Sequence, residues 1–506
     1  MRFNFLPLFV AVPLMGAFLT PLLSKLWQGL ADIVANAAGV FLLGLSVFGL
    51  VSLGTGASPL VYWAGGWGPR AGLPPLGIAM VYDPLTALVV LATNIVGFCA
   101  LFYSLRYMNG YTAKWKFYTL FLLILAGLNG LVVSGDLFNM FVFLEISSVA
   151  SYGLVAFGTE HEELEAAFKY MVLGEIGGMS ILFGIALIYA RASTLNLADL
   201  SGQIAAWGHN PFFWFVIATL LVGFAIKMAM VPFHSWLPDA HPAAPAPVSA
   251  LLSGIFIKVA GVYSLCRLMF NVFGLTRENA APFFNLLLGF GVLSIVVGGL
   301  LAFAQRDYKR LLAYSSISQV GYILIGLGIG NFWGIAGALF HLLAHALSKG
   351  LLFLAAGSVE SQTGTRDMGK LSGLERSMPA TSWSHLFGTL SLAGVPPFAG
   401  FFSKLFIVLG AIQSRMFWLA IVAVIFSVVT LGYLTKVVNM VFFVQQGKEP
   451  TRAREAPATM VVAMVLLALL TVAIGIGFRP VLDYLVWPAA QVLLNGLSYA
   501  RMVLGG

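Results

Sequence analysis

Charge is what this sequence has least of: Asp, Glu, Lys and Arg make up 9% of its 506 residues, while 60% are hydrophobic. A soluble domain of this length needs a charged surface. With a mean hydropathy of +0.94, that class is excluded and an all-α polytopic membrane protein remains. The apolar runs are continuous rather than alternating, which excludes a transmembrane β-barrel. There are two cysteines, Cys99 and Cys266, both in apolar segments. Neither a disulfide framework nor a cysteine metal site is expected from them. The glycine-rich pieces follow no strand, so no nucleotide loop is implied. No haem, iron–sulfur or quinone motif is visible, and no cofactor or metal is expected. The net charge of +8 raises nucleic acid as a partner. Its basic residues, however, are scattered over short loops with no basic domain, which is the pattern of membrane topology.

What the sequence has in abundance is membrane-length apolar runs. We count about fourteen spans, near 5–24, 33–53, 83–105, 115–134, 137–157, 166–190, 211–235, 246–268, 283–304, 311–330, 333–357, 379–410, 416–443 and 458–478. The first lacks a small-residue cleavage site and is too long for a signal peptide. Between the second and third lies a Gly-, Pro- and aromatic-rich stretch that reads as an extracytoplasmic hairpin. The tail after Arg479 is moderately apolar and reads as interfacial. Lys and Arg divide unevenly between the two sides. Arg2, Arg70, Arg191, Arg267, Arg277, Arg415, Arg479 and Arg501 share the side of the termini. Fourteen lie opposite, among them Lys169, Lys309, Arg310, Arg366, Lys370 and Lys448, and five fall within spans. Both termini are therefore expected outside the cytoplasm, in a multi-pass protein of the cytoplasmic membrane.

Two spans read as broken. The seventh, "FAIKMAMVPFHSWLPDAHPAAPAP", has a proline inside and a Pro-rich exit. The twelfth, "TLSLAGVPPFAGFFSKLFIVLG", has Pro396 and Pro397 at its middle. Proline removes a helix hydrogen bond, and freed backbone is tolerated at membrane depth only inside protein or beside a wet cavity. The broken spans are the fourth members of two five-span groups, spans 4–8 and 9–13. Because five is odd, the groups enter the membrane from opposite faces, which is the arithmetic of an inverted repeat. The expected division is 1–114 (spans 1–3 and the hairpin), 115–268 and 283–443 (the two repeats), and 444–506 (span 14 and the tail).

Against this background the intramembrane charges stand out, since each costs about 3 kcal/mol at mid-bilayer on insertion scales. They are Glu145 in span five, Lys227 before the break in span seven, Lys258 in span eight, His341, His345 and Lys349 in span eleven, and Lys404 after the double proline. In "ALFHLLAHALSKGLLFLAAG" the two histidines and the lysine recur every four residues, and so share one helix face. Structural ion pairing would account for Glu145 with one partner, but one acid cannot neutralise four lysines. A metal at His341 and His345 lacks Cys or carboxylate ligands nearby, and Lys349 would repel it. A proton pathway fits the whole set. Glu175 is a further acid for Lys227 or a lateral relay, and His234 and His241 flank the first break as relay members or loop anchors. Lys436 reads as snorkelling, Asp136 as the cap of span five, and Glu160, Glu162, Glu163 and Glu165 as a solvated loop.

Taken together, "FVFLEISSVASYGLVAF", "LEAAFKYMVLGE", "KMAMVPFHSWLPDAHPAAPAPVSALLSGIFIKVAGVY", "QRDYKRLLAYSSISQVGY", "HLLAHALSKGLLFLAAG" and "GVPPFAGFFSK" make the chain resemble a known family. It comprises the antiporter-like subunits of respiratory complex I, Mrp-type cation/proton antiporters and membrane-bound hydrogenases, and the wording is most similar to the Mrp D-type and hydrogenase-type subunits. The resemblance covers roughly spans three to fourteen and implies fourteen helices with inverted repeats. It also implies roles: Glu145 and Lys227 as the charged pair of a first half-channel and Lys258 as the central lysine. His341, His345 and Lys349 would be the connecting relay, and Lys404 the terminal lysine where one relative carries glutamate. Partners would be other membrane subunits, and any electron transfer would belong to them; the ions would be protons, with or without Na+.

The residues support a mechanism of this kind. At 4 Å and an effective dielectric near 20, a Lys beside Glu145 gains about 4 kcal/mol. Separation of the pair would leave Lys227 without its counter-charge, and the proton would pass toward Lys258. Histidine titrates near neutrality, so His341 and His345 can accept and release it, with Lys404 at the exit. Steps of about 6 Å along one helix face exceed hydrogen-bond reach and call for bridging water. The alternatives are a self-sufficient Na+/H+ antiporter, which would need an oxygen-rich cation site, and a structural anchor that moves no ions.

Overall fold

The computed structural model describes residues 4–27, 29–54, 58–69, 75, 77–444 and 449–505. Arg2, Arg70 and Lys448 of the charge count, and parts of the hairpin stretch, lie outside them. The first helices are α1 (Leu8–Leu23), α2 (Gly29–Leu53), α3 (Pro84–Tyr107), α4 (Lys114–Val133), α5 (Leu137–Val155) and α6 (His161–Ala192). A short antiparallel pair, β1 (Leu60–Trp63) and β2 (Ala79–Tyr82), lies between α2 and α3 with Leu60 opposite Tyr82. After the short α7 (Leu197–Ala205) come α8 (Pro211–Lys227), α9 (Leu237–Ala243), α10 (Ala246–Val272), α11 (Ala281–Ala304), α12 (Tyr308–Ile329) and α13 (Phe332–Thr363). The chain continues through α14 (Pro379–Ala393), α15 (Ala399–Gln413), α16 (Phe417–Phe442) and α17 (Ala458–Ile476). It ends with the tail helices α18 (478–494) and α19 (Ser498–Leu504).

Among the described residues, 11 helices are long and apolar enough to cross a membrane, and α1, α8 and α15 are shorter apolar helices. The chain is thus a multi-pass membrane protein. Local chemistry sets the helix starts. The side chains of Asp83, Asp136, Asn210, Asp307 and Asn331 each accept a backbone N–H from the first turn of the following helix, which satisfies an orphan donor. The cap expected at Asp136 is there, 2.8 Å from the Asn139 amide.

The span-seven and span-twelve breaks are both present. The chain leaves helix at Lys227 and resumes at Leu237, and it leaves again at Ala393 and resumes at Ala399. Helices α10, α12 and α13 form the buried middle, whereas α2, α6, α16 and α17 turn apolar faces outward. Asn94 and Asn129 exchange amide hydrogen bonds at 2.9 and 3.0 Å, and Asn94 also donates to Ser46 at 2.8 Å. This ties α2, α3 and α4 together by the polar contacts that replace hydrophobic driving force between helices in lipid. The tail packs across the starts of α3 and α13, with Trp487 against Phe332 at 4.3 Å.

Four readings of charged residues change. The glutamate run is no loop, since Glu162, Glu163 and Glu165 occupy the first turns of α6, where acids complement the helix dipole. Arg267 is not in a loop either. Helix α10 continues to Val272, and Arg267 is buried in a bidentate pair with Asp83 at 2.7 and 2.9 Å. Lys309 turns inward from the first turn of α12 and meets Glu360 at 2.6 Å. Lys436 caps the end of α11, donating to the Phe303 and Gln305 carbonyls at 2.8 Å each.

Candidate functional site

The first cluster forms where α8 stops. Lys227 is its last residue, 1% exposed, and donates to Glu145 Oε1 at 3.1 Å and to Ser148 Oγ at 2.9 Å. Both acceptors come from α5. Glu145 lies close against α6 at Gly178, where a Cβ would lie 2.6 Å from its Oε1 and the carboxylate would have to shift. Glu175 sits three residues earlier on α6, partly exposed, and acts electrostatically on both members of the pair. The backbone after Lys227 folds back, and Trp236 Nε1 donates to the Ile226 carbonyl at 3.0 Å, which also takes the Ala229 amide at 3.1 Å.

The middle of the molecule holds two lysines with no acidic partner among the described residues. Lys258 lies in α10, which is π-wound over 252–263, a geometry frequent at functional positions. Its ammonium donates to the Ser253 carbonyl, and the Ser253 hydroxyl meets Ser316 of α12 at 2.7 Å. Lys349 of α13 donates to the Leu312 carbonyl at 2.7 Å and to Ser315 Oγ. His241, fully buried in α9, packs on Phe353 at 4.6 Å, and Lys349 sits 5.8 Å from the same ring. The break thus brings His241 to the centre. His234 stays at the break itself, half-buried, with Nδ1 unpartnered among the described residues.

Toward the second break, His345 and His341 follow Lys349 along α13, their rings 5.9 Å apart. His341 Nδ1 pairs with Ser403 Oγ at 2.9 Å. Lys404, on the second turn of α15, donates to the Ala393 carbonyl freed by the break at 3.3 Å and lies over the Tyr322 ring at 4.5 Å. Gly394 makes the turn beneath it with φ +87°, a left-handed conformation that glycine adopts freely. Both nitrogens of His241, both of His345 and Nε2 of His341 lack a protein partner among the described residues. Buried groups of this kind are completed by ordered water.

The residues singled out from the sequence therefore form three groups: Glu145 with Lys227 at the first break, Lys258, Lys349 and His241 at the centre, and His345, His341 and Lys404 toward the second break, with Glu175 and His234 beside the first. The sequence reading missed Ser148 and Ser403, the Lys309–Glu360 pair, and His385. Glu360 had a signal: it lies eleven residues after Lys349, three helical turns on and so on the same face. A charged vestibule of about 440 Å³ opens beside that pair, lined by Glu165, Lys169, Asp239, Asp307, Arg310 and Arg366 among others. Asp239 joins Lys169 at 3.1 Å to Arg310 at 2.9 Å, and Arg366 pairs with Asp307 at 3.2 Å.

Comparison with known proteins agrees with this architecture. The family model described as NADH:quinone oxidoreductase/Mrp antiporter, TM matches residues 134–430, and that described as NADH-Ubiquinone oxidoreductase (complex I), chain 5 N-terminus matches residues 69–118. The N-type subunit of the NADH-quinone oxidoreductase of Desulforudis audaxviator is 35% identical, covering 97% of each chain. The D-type subunit of the Na(+)/H(+) antiporter of Alkalihalophilus pseudofirmus is 34% identical over 83% of this chain and 84% of that one. A chain of the Mrp complex from Dietzia sp. superposes with a TM-score of 0.90 at 27% identity, covering 99% of both. With a family model spanning more than half of its length and a relative of such identity aligned almost end to end, the chain belongs to the NADH:quinone oxidoreductase/Mrp antiporter family of membrane subunits.

Proposed function

We propose that this chain is the proton-translocating subunit of a multi-subunit membrane complex, an Mrp-type cation/proton antiporter or a related hydrogenase- or complex I-like assembly. In this reading it has fourteen spans, with spans 4–8 and 9–13 as inverted repeats and both termini outside the cytoplasm. Glu145 and Lys227 hold the first half-channel, Lys258 and Lys349 the centre, His345 and His341 the bridge, and Lys404 the second half-channel. Glu175 and His241 are accessory to the first pair and the centre. Protons are the cargo, and redox chemistry or cation exchange belongs to partner subunits.

One observation carries the proposal. Buried ionisable side chains stand at the end of α8, in the buried middle and near the start of α15, and helices break at the first and last of these places. Broken helices leave carbonyls and room for water at membrane depth. Lys227 and Lys404 sit at those two points, and Lys404 takes a freed carbonyl. Intramembrane ionisable residues default to function for this reason. A structural anchor would not need lysines without counter-charges at its centre.

The test is proton translocation by the assembled complex in reconstituted vesicles. Lys227→Ala, Lys258→Ala and Lys404→Ala are each expected to abolish translocation while the complex remains assembled. Parental translocation in all three would overturn the proposal. Loss of assembly in all three, with no translocation defect in conservative Lys→Arg variants, would favour the anchor.

A further inference from the structure

One buried histidine lies outside the relay just described. His385, on α14, is fully buried, and both of its nitrogens are engaged: Nδ1 lies 2.6 Å from Tyr308 Oη and Nε2 lies 3.2 Å from Thr389 Oγ1. Tyr308 is the first residue of α12. Its amide donates to the Arg366 carbonyl at 3.0 Å, and its neighbour Asp307 accepts from Arg366 Nε at 3.2 Å. Asp307 and Arg366 both line the charged vestibule. Tyr308 thus has its backbone fastened to the vestibule wall, with its side chain buried behind that wall.

From Tyr308 one face of α12 leads inward. Residues 308, 312, 315, 319 and 322 fall within a narrow arc at 100° per residue, and each offers a hydrogen-bonding group to the interior. Lys349 takes the Leu312 carbonyl and the Ser315 hydroxyl. Gln319 donates to Thr430 Oγ1 at 3.3 Å, and its Oε1 has no partner among the described residues. Tyr322 donates to the Ala423 carbonyl at 3.0 Å and lies under Lys404. A single helix face thus runs from the residue fastened to the vestibule wall past Lys349 to Lys404. The helices of His385 and Lys349 are packed together: Ser348, next to Lys349, hydrogen-bonds Ser391 of α14 at 2.9 Å.

Resting on the proton-relay reading, we propose that the Tyr308–His385 dyad is a second mouth of the relay, through which Lys349 exchanges protons with the vestibule. Tyr308 gives its hydroxyl proton to His385 Nδ1 as it gains one from vestibule water. The imidazolium then loses a proton from Nε2, past Thr389, to the Lys349 amine. One O–H bond breaks and re-forms at Tyr308, one N–H bond forms and another breaks at His385, and Lys349 becomes an ammonium. The net transfer is one proton from the vestibule to Lys349. Rotation of the imidazole then returns a bare nitrogen to Tyr308 and a protonated one to Thr389, which resets the dyad while the transferred proton stays on Lys349. The dyad complements the α13 histidines, which connect Lys349 onward to Lys404.

The experiment uses the assembled complex in vesicles, with proton uptake driven by a potassium–valinomycin diffusion potential and read by an entrapped pH dye. Tyr308→Phe and His385→Gln are each expected to slow uptake by about 100-fold, the lower end of the effect of removing a proton-transfer group. The double variant should be no slower than either single one, because the two act as a unit; separate packing defects would compound instead. Uptake within twofold of the parent in both single variants, alongside loss in Lys349→Ala, overturns the dyad and leaves the relay standing. Parental uptake in Lys349→Ala overturns the relay and the dyad together. If His385→Gln fails to assemble, Tyr308→Phe, which deletes one oxygen, decides alone: parental uptake there overturns the proposal.

Discussion

Buried charges in this chain are of two kinds, and their partners tell them apart. Arg267 and Asp83 form a closed set: the guanidinium donates to both carboxylate oxygens, to Thr86 and to Asn271, and Tyr499 stacks on it at 5.0 Å. Among the described residues, Lys258, Lys349 and Lys404 have only carbonyls, hydroxyls and aromatic faces as partners. A saturated bidentate pair holds its protons and its geometry, whereas an amine with neutral partners is free to exchange. Asp83→Asn is therefore expected to destabilise the protein by about 3–5 kcal/mol, because it leaves Arg267 buried and uncompensated. Thermal unfolding in detergent measures that loss, and the molecules that still assemble should translocate protons at the parental rate. A translocation defect out of proportion to the loss of assembly would place Asp83 in the relay instead. The burial of these lysines was legible in the sequence because depth in an apolar run is enough to make a charge expensive. Arg267 was not, because "YSLCRLMFN" looks like the end of a span, and only the packed tail and Asp83 show that α10 continues.

At the scale of elements, the breaks are what the sequence announced best. Proline within an apolar run has one physical meaning at membrane depth, and both predicted breaks fall beside the lysine expected there. The ends of unbroken helices were harder to read. The acids at the start of α6 looked like a loop because each is a plain solvent-facing charge, yet a helix N-terminus favours that composition. Lys436 is the converse case. It looked like a snorkelling side chain near the end of its own span, but it reaches across to the carbonyl end of α11, an interaction that spacing within α16 cannot reveal. A cation at a helix C-terminus is worth about 1 kcal/mol or less. Lys436→Ala should thus lower the unfolding temperature slightly and leave proton translocation at the parental level, in contrast to Lys404→Ala. A loss of translocation in an assembled Lys436→Ala complex would show that this lysine belongs with the relay.

At the scale of the whole molecule, the arrangement has two unlike ends. The charged vestibule, the Lys309–Glu360 pair and the end of α13 lie together. The tail helices lie at the other end, where Trp487 meets the first residue of α13 and Tyr499 covers Arg267. Counting basic residues assigns the vestibule end to the cytoplasm, and that assignment survives moving Arg267 and Lys309 out of the loops, since each side loses one. The two native cysteines, Cys99 and Cys266, are buried, so they give little background to a thiol label. Lys370 and Arg501 are exposed at opposite ends of the molecule. In intact cells, a membrane-impermeant maleimide should label Arg501→Cys, and it should label Lys370→Cys only after the membrane is opened. The reverse pattern would invert the topology and turn the vestibule into an exit on the outer face. It would also reverse the direction in which the Tyr308–His385 dyad and the Glu145–Lys227 pair connect the two sides of the membrane.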